Sequence, residues 1–158
     1  MYIKLILKLL SLFDYVNKIK VINFFKKKIK KNLEVFIDVG AHNGETIRIF
    51  NKYFDIKKFY AFEASPINFE VLRKKIKKSS YPIVEIFNFA LGQKQEILYL
   101  NQFKESQSST FLPFNENSKY LKRKRIILSP YSKNFFLKKN KIQIKRLDNF
   151  LDHKELKL

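Results

Sequence analysis

Asp38, Gly40, His42 and Gly44 fall at every second position of Val35-Phe-Ile-Asp-Val-Gly-Ala-His-Asn-Gly44. Gly40 and Gly44 are two of only three glycines in 158 residues, so their closeness marks a backbone path that a side chain would forbid. The stretch begins as an apolar run without helical spacing, bounded by Glu34 and Asp38, and reads as a short buried strand. After Gly44, acidic Glu45 followed by Ile47, Ile49 and Phe50 reads as a helix that starts at the loop. Strand, glycine loop and helix start together present free backbone N–H groups, which suits the anionic part of a nucleotide-type ligand.

The glycine spacing narrows the ligand. A dinucleotide site uses G-x-G-x-x-G, whose second glycine lets the backbone approach a pyrophosphate. Here the pattern is acid-x-G-x-G-x-G with His42 in the place of the middle glycine. A ligand without a pyrophosphate tolerates that change, and S-adenosylmethionine is such a ligand. A second apolar run, Lys58-Phe-Tyr-Ala-Phe-Glu63, ends in a carboxylate 23 positions after Gly40. That is close to the roughly 20-residue offset at which an acid on the second strand meets ribose hydroxyls, through charge-assisted bonds.

Three segments, Ile37-Asp-Val-Gly-Ala-His-Asn-Gly-Glu45, Tyr60-Ala-Phe-Glu-Ala-Ser-Pro66 and Phe87-Asn-Phe-Ala-Leu-Gly92, resemble in order and spacing the FkbM-type family of S-adenosylmethionine-dependent methyltransferases. The Ser108-Ser109-Thr110 patch agrees with this. So does Arg146-Leu-Asp-Asn-Phe-Leu151, similar to the family's T-L-D-x-[FL]-[LI] segment with Arg146 in place of Thr; the resemblance covers about 34 to 151. It implies an α/β fold, a Rossmann-like methyltransferase sheet with flanking helices. The implied cofactor is S-adenosylmethionine, and the implied acceptor is an oxygen of a sugar, a glycan precursor or another small molecule.

The resemblance also assigns roles. Asp38 would lie near the methionyl ammonium and bond the loop. Gly40, Ala41, His42, Asn43 and Gly44 would follow the cofactor, Glu63 would take the ribose, and Asn88 and Ala90 would lie on the adenine side. His42 stands where the family commonly has Asn, and it reads as a loop histidine bonding backbone or ligand in preference to a catalytic base. No catalytic residue is identified. Family members continue into a core strand bearing D-x-E-G, which has no counterpart before Leu158. The expectation is therefore an incomplete sheet, open at the edge of its first strand, in a chain that is not competent for methyl transfer by itself.

Within 33–158, the partial methyltransferase domain, Ser65-Pro66 signals a helix start, and the helix runs through Phe69, Leu72 and Ile76 into a lysine-rich end stopped by Ser79-Ser80-Tyr81-Pro82. Ile83 to Ala90 reads as a third strand, and alternating strands and helices imply a parallel sheet. Gly92-Gln-Lys is a turn, and Glu96 to Asn101 is a strand paired back against a neighbour. From Gln102 to Asn140 the signal is poor, with a loop at Gln107 to Thr110 and a basic stretch at Lys119 to Arg125. Ile142 to Lys145 is a strand ahead of an Asp148-capped turn or short helix.

Residues 1–32 form a basic amphipathic helical segment, with Leu5, Leu9, Leu12, Phe13, Val16, Ile19 and Phe24 at near-helical spacing between lysines. Lys4 and Lys8 interrupt it, so no run reaches the roughly 18 apolar residues of a spanning helix. There is no small-residue cleavage site for a secretory signal. Two readings stay open: a helix packed on the domain, which an apolar stripe favours, or peripheral contact with an anionic membrane. The formal net charge of +19 comes almost entirely from lysine, alongside abundant Ile, Asn and Phe, and fits compositional drift better than a nucleic-acid surface. Only five arginines are present, and they do not cluster except at Arg123 and Arg125, whereas RNA-binding patches interleave Arg with stacking aromatics. An RNA methyltransferase and a non-catalytic membrane-surface module remain as rivals. The absence of cysteine points to a cytoplasmic setting, at most peripheral at the inner membrane face. His42 and His153 are in no metal-ligand spacing, so no metal is expected.

Overall fold

The computed structural model describes residues 16–29, 31–78, 81, 83–103, 109–115, 117–128 and 136–153. A helix over 16–28, α1, precedes β1 (Asn32–Val39), α2 (Glu45–Tyr53), β2 (Asp55–Phe62), α3 (Pro66–Lys77) and β3 (Ile83–Phe87). There follow β4 (Ala90–Leu91), β5 (Glu96–Phe103), α4 (Lys119–Leu128), β6 (Phe136–Lys145) and α5 (Leu147–His153). The chain is a mixed α/β protein with two small sheets, a parallel one in the order β1-β2-β3 and a mixed one in the order β4-β6-β5.

Alternation along the strands explains how the layers assemble, because successive side chains point to opposite faces. Phe36, Phe59 and Ala61 face the helices and pack with Ile47 and Phe50 of α2 and Leu72 of α3. Val35, Ile37, Tyr60 and Phe62 face the other way, against Phe89 and Phe150 of α5. The Phe150 ring stands edge-on to Tyr60, Phe62 and Phe87 at 5.4, 5.0 and 4.9 Å, the arrangement that aromatic quadrupoles prefer. Ser65 caps α3 by accepting the Asn68 N–H at 3.3 Å, Pro66 occupies the first turn, and Lys74, Lys75 and Lys77 close the last one.

The helix α1 packs on the same face as α2. Its Ile22 is buried in the main core, and its Phe25 ring meets Phe50 edge-on at 5.5 Å. Lys18 pairs with Glu45 in the first turn of α2, and this hydrogen bond is the main cause that holds the Glu45 carboxyl below its ordinary range. Among the described residues no helix is long and apolar enough to cross a membrane. The first fifteen residues of the N-terminal segment lie outside the described residues.

Several boundaries differ from the sequence reading. The strand expected from Ile83 to Ala90 stops at Phe87, whose carbonyl still accepts from Glu63 N–H at 3.0 Å, and the chain then bends at Asn88-Phe89. Ala90 and Leu91 join the other sheet, parallel to Ile144 and Lys145. Gly92 is required there by contact, since a Cβ on it would lie 2.6 Å from Ile144 Cγ2. The strand expected at Ile142 begins at Phe136, drawn out by antiparallel pairing with β5. The basic stretch from Lys119 is a helix. Asp148 is not a cap but lies inside the first turn of α5, paired with Arg146.

Candidate functional site

At the end of β1 the backbone folds back over β2. The N–H groups of Gly40 and Ala41 both donate to the Phe62 carbonyl, at 2.9 and 3.0 Å, and Gly44 N–H closes the loop on the Ala41 carbonyl at 2.7 Å. Gly40, His42 and Gly44 have φ of 81°, 48° and 80°, so the alternating pattern read in the sequence is an alternation of left-handed positions. His42 is the one non-glycine there, and histidine, like asparagine, tolerates this region better than most side chains. The two glycines are needed for different reasons. A Cβ on Gly44 would lie 3.0 Å from Leu72 Cδ1, whereas around Gly40 nothing lies within 4 Å. Gly44 allows helix packing, and Gly40 leaves open space above the loop.

Glu63, just past the end of β2, is buried and holds two backbone amides. Its Oε2 accepts from His42 N–H at 2.7 Å and its Oε1 from Ser65 N–H at 2.8 Å. One carboxylate thus ties the glycine loop to the start of α3. Asp38 lies beneath the loop, only 7% exposed, and its Oδ2 has no hydrogen-bond partner among the described residues. Burial, with the nearby negative charge of Glu63 as a lesser cause, pushes the Asp38 carboxyl up to about 6. Asn43 Oδ1 is likewise buried without a partner.

Beside the loop opens a cleft of about 520 Å³ whose lining includes Gly40, Ala41, His42, Asn43, Glu63 and Ala90. Of the residues expected at a site, Gly40, Ala41, His42, Asn43, Glu63 and Ala90 line this cleft. Asp38, Gly44 and Asn88 do not. Asn88 instead braces the backbone, since its Nδ2 donates to the carbonyls of Glu63, at 2.8 Å, and Ala64, at 3.3 Å, holding the turn that carries Glu63.

The rest of the lining includes residues the sequence did not single out as a site, chiefly Phe89, Leu91, Leu100 and Phe111. Ser65 and Ser109 also line the cleft, joined by the fully buried Gln102. Ser65 Oγ donates to Gln102 Oε1 at 2.6 Å, and Gln102 Nε2 donates to Ser109 Oγ at 2.9 Å. The signals available for these residues were the segments Tyr60 to Pro66 and Phe87 to Gly92, which hold Ser65, Phe89 and Leu91, and the serine patch, which holds Ser109. Ser108 lies outside the described residues.

Comparison with protein-family models, with characterised proteins and with solved structures finds no match for this chain. Among the described residues no group of three or more His, Cys, Asp or Glu side chains is placed to hold a metal ion. The functional reading therefore rests on the geometry of the cleft.

Proposed function

We propose that the chain binds S-adenosylmethionine in this cleft, as the cofactor-binding part of a Rossmann-like methyltransferase domain of the FkbM type whose reaction directs a methyl group to an oxygen of a sugar, a glycan precursor or another small molecule. The observation that carries the reading is the Glu63 carboxylate, buried at the C-terminal end of a parallel strand and bordering the same cleft as the glycine loop. A carboxylate offers roughly four acceptor positions. The amides of His42 and Ser65 take two, one on each oxygen, which leaves acceptor capacity for a pair of neighbouring ribose hydroxyls.

The other surroundings fit the same ligand. Open space over Gly40 admits a close approach of ligand to backbone, and Phe62, Phe89, Leu91 and Phe111 offer apolar cover for a purine. The volume is within the range of small-molecule sites, about 300 to 1,000 Å³. When bound, the cofactor supplies an electrophilic methyl group on a sulfonium. The contribution of the chain is positional: Glu63, tied to both flanking turns, fixes the ligand relative to the glycine loop, and such orientation is a large part of what lowers the barrier to a displacement.

Titration calorimetry with S-adenosylhomocysteine and with NAD, on the native chain and on Glu63→Gln, tests the reading. S-adenosylhomocysteine should bind more tightly than NAD, since the loop lacks the pyrophosphate glycine. Loss of a charged acceptor should weaken that binding by about tenfold or more. Equal affinity in both proteins, or a preference for NAD, would refute it.

A further inference from the structure

The two faces of α1 have opposite characters. The inward face carries Ile22 in the core and Phe25 on Phe50, and two of its lysines are engaged: Lys18 pairs with Glu45, and Lys26 Nζ lies 4.2 Å from the centroid of the Tyr53 ring. The outward face exposes Val16, Lys20, Val21, Phe24, Lys27 and Lys28. At 3.6 residues per turn Lys20, Phe24, Lys27 and Lys28 share one stripe, with Phe24 58% exposed at its centre. From Val16 to Lys31 there is no Asp or Glu, so nothing within the segment offsets its charge.

We propose that this outward face docks on the surface of a bilayer rich in anionic lipid. Charge complementarity selects the occupant: lysines ringing a protruding phenylalanine match a negatively charged headgroup layer over hydrocarbon, and the layer solvates both parts. A nucleic acid would use the lysines but would leave the aliphatic Val16 and Val21, 44% and 48% exposed, in water. Packing and membrane contact, which the sequence presents as alternatives, are thereby served by opposite faces of one helix. Val21, at the flank of the outward face, also lines a groove of about 370 Å³ with Glu45 and Thr46 of α2, which border the cleft as well. The proposal does not depend on which chemistry the cleft performs.

Flotation of the full chain with vesicles of phosphatidylcholine alone, and of phosphatidylcholine mixed with phosphatidylglycerol, is the test. Binding should require the anionic lipid. Replacing Lys20, Lys27 and Lys28 together by Gln should reduce the partition coefficient by about a hundredfold, roughly fivefold for each lysine. Phe24→Ala should lower it severalfold, including at high salt. All four side chains are exposed, so circular dichroism and the melting temperature should match the native chain and show that the variants are folded. Equal flotation with neutral vesicles, flotation unchanged in the triple variant, or retention on RNA without flotation would each overturn the proposal.

Discussion

Replacing Asp38 by Asn should make the protein more stable at neutral pH, although it alters a buried residue at the end of β1. The Asp38 carboxyl is raised from 3.8 to about 6 by burial first and by the Glu63 charge second. An acid whose pKa is higher in the native state holds its proton more tightly there than in the unfolded chain. Native stability from this group is therefore complete below pH 3.8 and is lost as pH rises through about 6. At roughly 1.4 kcal/mol per pH unit, the span from 3.8 to about 6 makes a cost of about 3 kcal/mol above pH 7. Asn has nearly the same shape and carries no charge, so it avoids that cost while resembling the protonated acid. Urea denaturation of the two proteins from about pH 4 to about pH 8 gives the difference directly, with other titrating groups cancelling. Asp38→Asn should exceed the native chain by about 3 kcal/mol at the upper end and converge with it near pH 4. A variant no more stable at neutral pH, or a difference that does not vary with pH, would show that Asp38 is solvated or paired and that the reasoning is wrong.

The two loop glycines should differ in their tolerance. Gly40→Ala bears only the left-handed backbone, about 1 kcal/mol, while Gly44→Ala adds the contact of a Cβ with Leu72 Cδ1 at 3.0 Å and should be clearly more destabilising in the same assay; equal losses would contradict this. Gln102→Leu strands the partners of a fully buried amide and should cost about 1 to 3 kcal/mol, and adding Ser65→Ala should cost less than the sum of the single losses, because both members of a bond are then gone. Strict additivity in that cycle would mean that the Ser65–Gln102 bond contributes nothing to the link between the sheets.

The parts of the fold legible in the sequence are those whose signals are local. Ser65-Pro66 starts α3 because the cap and the ring act on adjacent residues, and the period-two alternation of β1 and β2 is set by which face each residue buries. What could not be read depends on partners distant in the chain. Asn32 and Leu33 are strand because Asp55 and Ile56 lie beside them, and Phe136 to Asn140 are strand because β5 pairs with them; their own polarity gives little sign of it. The site divides in the same way. Gly40 to Asn43 and Glu63 come together as spacing suggested, whereas Asn88, chosen as a ligand contact, is spent on the carbonyls of Glu63 and Ala64. Ser65 was legible as a cap but not as a wall of the cleft, since one hydroxyl serves both Asn68 and Gln102.

The two buried carboxylates divide the electrostatic work of the loop unequally, and that inequality argues for a ligand. If the acids served only to satisfy backbone amides, the structure would need Glu63 alone, which already takes the N–H groups of His42 and Ser65. Asp38 is a second acid, raised by burial first and by the charge of Glu63 second, in a place where its Oδ2 meets no donor among the described residues. A buried carboxyl raised from 3.8 to about 6 is a cost to folding at neutral pH, and such costs persist where the site has a use for them. Asp38 does not line the cleft, so a positively charged ligand over the glycine loop would lower that cost only through space. Under the proposed function, the sulfonium and ammonium of S-adenosylmethionine would supply such a charge while its ribose hydroxyls met Glu63.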